Sequence, residues 1–194
     1  MYLYGASGHG KVIMEMIESS EDFVDAFIDD NEYLSVFCGK TVLHEVEANG
    51  KLIVSIGNNR IRASIVSRLN NSFGIAIAPS AIVSPSAQIG EGTVVMPGAI
   101  INADAVIGKH CIINTGASVD HECVIGDFAH IAPHATLCGQ VHVGVGSLIG
   151  VGACVIPCKN IGSWSVVGAG AVVVRDLPPN CTAVGLPAKV IKRN

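Results

Sequence analysis

The stretch Ala81-Ile82-Val83-Ser84-Pro85-Ser86-Ala87-Gln88-Ile89-Gly90 opens a pattern that continues to Val174. Stepping by six from Val83 reaches Ile89, Val95, Ile101, Ile107, Ile113, Val119, Ile125, Ile131, Leu137, Val143, Ile149, Val155, Ile161, Val167 and Val173, with no slip in phase. Two residues before most of these the side chain is small, as at Ala99, Ala105, Cys111, Ala117, Cys123, Ala129 and Ala135. A period of six suits neither a helix, at about 3.6, nor a half-buried strand, at about 2. It is the period of a parallel β-helix. Three six-residue units make one triangular coil, with the aliphatic residue on the axis and the small one where two flat faces meet. Each coil pairs with the next, so stability is a sum of nearest-neighbour terms. Gly90, Gly108, Gly126, Gly144 and Gly162 follow axial residues at intervals of eighteen. They are expected at one corner, where a tight turn needs a permissive backbone.

The chain has 194 residues, room for this solenoid and one small domain. A net charge of −4 argues against nucleic acid as the main partner. Phe128 to Cys158 carries no charged residue, yet Gly, Pro and three histidines interrupt it and the phase of six continues through, so it is read as coil and not as a membrane span. Met1-Tyr2-Leu3-Tyr4-Gly5 lacks the basic and long apolar regions of a signal peptide. Seven cysteines with no CxxC pair imply a reducing cytoplasm without a disulfide framework.

Residues 1–78 read as a separate α/β unit, and 79–194 as the β-helix with a closing segment. Tyr2-Leu3-Tyr4 is a predicted strand running into Gly5-Ala6-Ser7-Gly8-His9-Gly10, followed by a helix with Val12, Ile13, Met16 and Ile17 on one side. Asp25-Ala26-Phe27-Ile28 is a second predicted strand ending in Asp29-Asp30, and Leu52–Ile56 a third, ending in Gly57-Asn58-Asn59. A helix with Ile61, Ile65, Val66 and Leu69 inward should follow. This is half of a Rossmann-like mononucleotide fold. Glycines let backbone N–H groups approach a phosphate at the positive end of the helix. The spacing G-x-x-G-x-G differs from the dinucleotide fingerprint, which weakens a nicotinamide or flavin reading. Asp29 and Asp30 stand where an acid takes ribose hydroxyls.

In the coils, His121 lies two residues past axial Val119 and should face away from the core, between Asp120 and Glu122. Imidazole, with a pKa near ~6.5, suits proton removal from an attacking amine. A carboxylate on its other nitrogen would fix the tautomer; the residues alone do not choose between Asp120 and Glu122. His130 precedes axial Ile131 and should point outward, toward a neighbouring solenoid. With His134 and His142 it raises the question of zinc, but a site needs three converging imidazoles and the nucleotide unit has no use in that chemistry. Lys189, Lys192 and Arg193 at the end are positioned to meet phosphates.

The repeat resembles the hexapeptide-repeat acyltransferase superfamily, from which a left-handed coil is inferred, against the usual right-handed crossover rule. Tyr4–Gly10, Ile28-Asp29-Asp30, Ile56–Asn59, His121-Glu122-Cys123 and the closing Gly185-Leu186-Pro187-Ala188-Lys189 look like the sugar O/N-acyltransferases. The nearest resemblance is to the PglD-type UDP-4-amino-sugar N-acetyltransferases of bacillosamine synthesis. It implies that Ser7, Gly8, His9, Asp29, Asp30 and Gly57 hold a nucleotide-linked amino sugar, with Asn114 near the acceptor. It assigns His121 as base and Glu122 as its partner. His130, Val151 and Ala169 would contact acetyl-CoA, with no metal, in a homotrimer with sites between subunits. The expected activity is N-acetylation of a UDP-4-amino-4,6-dideoxy hexose for a bacterial surface glycan. The alternatives are O-acetylation of a sugar such as sialic acid, and a non-catalytic sugar-nucleotide-binding solenoid.

Overall fold

The structure, a computed structural model, describes residues 1–20, 22–46 and 50–193. The N-terminal unit runs β1 (Tyr2–Tyr4), α1 (Gly8–Glu18), β2 (Ala26–Ile28), β3 (Val36–Phe37), β4 (Lys40–Leu43), β5 (Leu52–Val54) and α2 (Asn59–Val66). Its sheet has the order β3-β4-β2-β1-β5, parallel except for β3 against β4. The β3–β4 hairpin had no counterpart in the hydrophobic pattern. Its turn is Cys38-Gly39, with φ of 50° and 76°, the left-handed pair that two-residue hairpins favour. Helix α1 is capped by Ser7, whose hydroxyl accepts the Gly10 N–H at 3.4 Å, and buries Ile13, Met14, Met16 and Ile17.

Helix α2 departs from its periodic reading. Ile65, Val66 and Leu69 do pack against the sheet, but Ile61 is 52% exposed. Arg62 takes the inward position and is only 1% exposed. Periodicity scores arginine as a surface residue and so turned the helix face.

From Ala76 onward the chain is a left-handed parallel β-helix with three flat faces. Face one begins at Ile82–Val83 and includes Ser118–Val119. Face two begins at Gln88–Ile89 and includes Val124–Ile125. Face three begins at Ala76–Ile77 and includes Val94–Val95, Ile112–Ile113, His130–Ile131, Leu148–Ile149 and Val166–Val167. Register is i to i+18 from Ala76 to Val173, as in Ile113↔Ile131↔Ile149, and shortens to i+16 where Val166 pairs with Thr182. The axial residues from Val95 onward are buried, and Ala99, Ala105, Cys111, Ala117, Cys123, Ala129 and Ala135 fill the corners beneath them. The final strands, Cys181–Val184 and Lys189–Arg193, extend face three as an antiparallel hairpin, with Lys189, Lys192 and Arg193 exposed.

The eighteen-spaced glycines do stack, but for a different reason from the one expected. Left-handed backbone falls instead every six residues from Gly92 to Gly170. It is carried by Asp104, His110, Glu122, Phe128, His134, Gln140, Cys158 and Trp164 as well as by glycine. A Cβ on Gly90, Gly108, Gly126 or Gly144 would lie 2.5–2.7 Å from backbone atoms of the next coil. Those glycines exist because successive coils touch there.

The N-terminal unit covers face three. Leu3, Ile13, Met14, Met16 and Ile17 share one core with Ala76, Val94, Met96 and Ile112. On face three the outward residues Val94 and Ile112 are buried, whereas outward Val106 and Val124 on face two are partly open. Among the described residues no helix is long and apolar enough to cross a membrane.

Truncating one axial residue removes its transfer energy and leaves a cavity between two rungs. Leu137→Ala should therefore cost about 2–5 kcal/mol, read as a lower urea midpoint at unchanged slope. Val124→Ala, on an outward side chain 42% exposed, should cost less than about 1 kcal/mol in the same assay.

Candidate active site

Two groups of polar residues stand on opposite sides of the prism. The first lies at the edge where β2, β1 and β5 end side by side. Gly5, at φ 113°, turns the chain out of β1. A Cβ on Gly10 would strike the Gly5 carbonyl, so that glycine lets α1 sit close on the strand. Ser55 locks this turn from beneath, its hydroxyl donating to the Tyr4 and Gly5 carbonyls at 2.9 and 2.8 Å. Asp29 accepts the Ala6 N–H at 2.8 Å and the Asn31 N–H at 3.0 Å, holding the glycine turn from the β2 side. Asp30 accepts from the Tyr4 hydroxyl, and burial, reinforced by that carboxylate, pushes Tyr4 up to about 12. Ser7, Gly8 and His9 follow the end of β1 and Gly57 the end of β5, and Gly57 opens onto a cavity lined by Asn58, Asn59, Arg60, Gly146, Leu148 and Trp164.

His130 is the link from that edge to the coils. It leaves the axis as expected, but the face it stands on is covered by the same chain's N-terminal unit and not open to a neighbouring solenoid. It occupies the outward row between Ile112 and Leu148, a row that is apolar on either side. Its Nε2 lies 2.9 Å from Asn114 Nδ2. The Asn114 carbonyl oxygen already accepts the Thr115 N–H at 2.8 Å, so its amide donates to His130. Nε2 is then the acceptor, and the proton sits on Nδ1, toward the Gly57 backbone. Burial, helped by Arg62 and His9, pushes His130 down to about 4; burial and then Arg62 do the same to His9. Nε2 of His9 is buried without a partner among the described residues.

The second group is at the corner between faces one and two, across the prism from face three. His121 is exposed there, its Nδ1 3.1 Å from Glu122 Oε2. Asp120 serves differently: it accepts the His121 backbone N–H at 2.8 Å and the Asn102 amide at 2.9 Å. Gln140, one coil on, donates to the same Glu122 oxygen at 3.0 Å. Both carboxylates are held below their usual range, Glu122 by Gln140 and then His121, Asp120 by Asn102 and then the His121 N–H. A Cβ on Gly139 would enter the His121 ring, so only glycine leaves the imidazole its place. Asn102, Gly139 and Gln140 were not singled out from the sequence. They are found by adding or subtracting eighteen from 120, 121 and 122.

Val151 and Ala169 are exposed on the corner between faces three and one, in the same column as Thr115 and two and three coils along from it. They border that edge of face three, on the side where Asn114 sits. His134 stands on that same corner, its N–H donating to the Thr115 carbonyl, and His142 on face two, and among the described residues no three His, Cys, Asp or Glu side chains approach a common metal position. Cys123, beside the His121 corner, is buried and its thiol pushed up by burial.

Sequence and structure comparisons place a β-helix of this kind, preceded by a small α/β unit, in a class of transferase. Residues 1–69 match the PglD N-terminal domain, and residues 86–121 and 104–139 match the bacterial transferase hexapeptide. The structure of PerB from Caulobacter crescentus, solved with CoA and GDP-perosamine, is 41% identical, covering 98% of this chain and 96% of that one at a TM-score of 0.91. The acetyltransferase domain of PglB from Neisseria gonorrhoeae, solved with acetyl coenzyme A, is 38% identical over 98% of both chains, also at 0.91. UDP-N-acetylbacillosamine N-acetyltransferase of Bacillus subtilis (strain 168) is 45% identical over 105 residues. That match spans 47% of this chain and about half, 49%, of the curated relative's length. The chain belongs to the hexapeptide-repeat sugar N-acetyltransferases with a PglD N-terminal domain.

Burial, the largest influence on each, holds His9, His110 and His130 at about 4, while in the unfolded chain each titrates at ~6.5. Between these values the unfolded chain binds protons that the folded chain refuses. Stability should be level above about pH 6.5 and fall as pH drops toward 4. Urea midpoints at pH 7.5 and 5 would show it; equal midpoints would mean the three rings are not held neutral.

Proposed function

We propose that the protein transfers the acetyl group of acetyl-CoA to the amine of a nucleotide-linked 4-amino-4,6-dideoxy hexose, for a bacterial surface glycan. The observation that carries this is the pairing of a nucleotide-type crevice with an exposed, carboxylate-oriented imidazole on a β-helix. Support for the ligands comes from relatives covered nearly end to end, one holding CoA with GDP-perosamine and another acetyl coenzyme A.

The nitrogen lone pair of the sugar amine attacks the thioester carbonyl carbon, and His121 Nε2 removes a proton from nitrogen as the C–N bond forms. The carbon–sulfur bond then breaks, and the imidazolium returns the proton to the departing coenzyme A sulfur. Glu122, held by Gln140, keeps the His121 proton on Nδ1, so that Nε2 begins as the base and the charged imidazolium is stabilised. Attack is direct. Cys123, the nearest thiol, is buried and protonated and takes no part. In the crevice, Ser7, Gly8, His9 and Gly57 hold the diphosphate, and Asp29 and Asp30 face the nucleoside. Neutral His9 offers a hydrogen bond without a charge. Asn114 and His130 border the acceptor, with Val151 and Ala169 along the pantetheine path.

In one chain the crevice overlies face three while His121 stands on the opposite corner. The same chain does not bring its own base to its own nucleotide. The reading therefore includes a closed ring of three copies, with His121 of one chain serving the crevice of its neighbour. Seven free cysteines, three of them exposed, suit the reducing cytoplasm where acetyl-CoA and nucleotide sugars occur.

The assay is thiol release from acetyl-CoA with UDP- and GDP-linked 4-amino sugars, a 3-amino sugar, sialic acid and serine as acceptors. One nucleotide amino sugar should turn over; sialic acid alone would move transfer to oxygen. His121→Ala should lower kcat about 10²–10⁴-fold while coenzyme A still raises the melting temperature. Turnover equal to the native enzyme would remove His121 as the base.

A further inference from the structure

The junction between the two units is organised by one side chain with no part in the mechanism above. Arg62 is buried, and every bond it makes is to a neutral acceptor. Nε donates to the His110 carbonyl at 2.8 Å and Nη2 to the Phe128 carbonyl at 2.8 Å. Nη1 donates to the Ile56 carbonyl at 2.8 Å and the Gly57 carbonyl at 3.4 Å. Nη2 also donates to Asn59 Oδ1 at 2.9 Å, and Asn59 Nδ2 in turn reaches the Gly146 and Ser147 carbonyls at 3.1 and 3.2 Å. Among the described residues Arg62 has no carboxylate partner. Burial lowers it to about 10, so it stays charged at neutral pH.

The acceptors on the solenoid are not scattered. His110, Phe128 and Gly146 are the same corner position in three successive coils, each with left-handed backbone. Their N–H groups bond backward, to Glu91, Lys109 and Asp127. Their carbonyls form a ladder with one rung per coil, and the first turn of α2 takes three rungs with Arg62 and Asn59. A guanidinium has donors in a fixed planar fork, wide enough to bridge two rungs and still hold the β5 turn; an ammonium is a single point. Leaving a buried cation without a counter-ion is costly, and a well-packed apolar residue would usually be at least as stabilising. What such a residue would lack is the register.

We propose that Arg62 is a positioning residue for acetyl transfer: by pinning the Ile56-Gly57 turn to the corner ladder, it sets the nucleotide crevice at fixed height over His130 and Asn114. This rests on the transfer reaction proposed above. A rigid-body slip of the N-terminal unit by a fraction of a rung would leave each ligand its contacts and misplace the amine relative to the thioester. Errors of about 1 Å cost reactions of this kind about a hundredfold.

The test uses the full-length Arg62→Lys protein, with Asn59→Asp as a milder second variant that keeps the Arg62 partner and loses the Gly146 and Ser147 bonds. Expected for Arg62→Lys is a fall in kcat of about tenfold or more, with KM for acetyl-CoA within about twofold of native. Thermal stabilisation by coenzyme A and by UDP or GDP should be retained, and amide exchange should quicken at residues 56–59. Asn59→Asp should show the same split with about a threefold fall in kcat. Native kcat and native exchange in both variants would overturn the proposal. So would joint loss of both ligands' stabilisation, which would make Arg62 a folding residue only. Should the native protein itself transfer no acetyl group, the functional reading fails, while the exchange measurement still decides whether Arg62 pins the turn.

Discussion

Everything in this molecule depends on the contact between residue i and residue i+18. Parallel pairing with that register puts axial aliphatics on aliphatics and small corner residues on small ones, so the core forms by local addition of rungs. The same contact builds the chemistry. Asn102 supports Asp120, Gln140 supports Glu122, and Gly139 makes space for His121, each from exactly one coil away in the count of eighteen. Slip the register by one unit of six and the core would survive, since aliphatic would still meet aliphatic. The site would not.

The electrostatics of the two polar groups are opposite in kind. His121 and its carboxylates lie in solvent, where hydrogen bonds from amides keep both acids ionised. His9 and His130 are enclosed between the units beside a buried guanidinium, and are therefore neutral well below the pH at which a free imidazole charges. One imidazole is exposed beside a carboxylate; the other two are enclosed. This division follows from burial: residue type alone makes the three equivalent.

The axial series and the glycine turn were legible in the sequence because each is a local or strictly periodic signal. The parallel β-helix, the strand at Tyr2–Tyr4 and the outward stance of His121 all follow from it. What escaped was set by partners distant in sequence. The covered position of His130 depends on a domain docking that leaves no mark on the sequence around it, although Val94 and Ile112 in the same outward row were a clue. The inward side of α2 is hidden from periodicity because the residue it buries, Arg62, is charged. The eighteen-spaced glycines are plain in the sequence, but their cause, the backbone of the coil above, is not a local signal. Glu122, not Asp120, meets the imidazole, a choice that side-chain reach decides and adjacency does not.

The claim most exposed to refutation is that a nucleotide crevice on face three is served by His121 of another copy. Co-assembly of two inactive variants addresses it directly: His121→Ala, and Gly8→Asp, which has open space for its side chain and sets a carboxylate in the glycine turn. Each alone should be nearly silent. Mixed in equal amounts before assembly, they should recover about a quarter of native turnover, the chance that neighbouring chains in a closed ring supply one sound crevice and one sound base in the required order. Mixtures that stay as silent as their parents would contradict the shared site and require His121 to reach the crevice of its own chain.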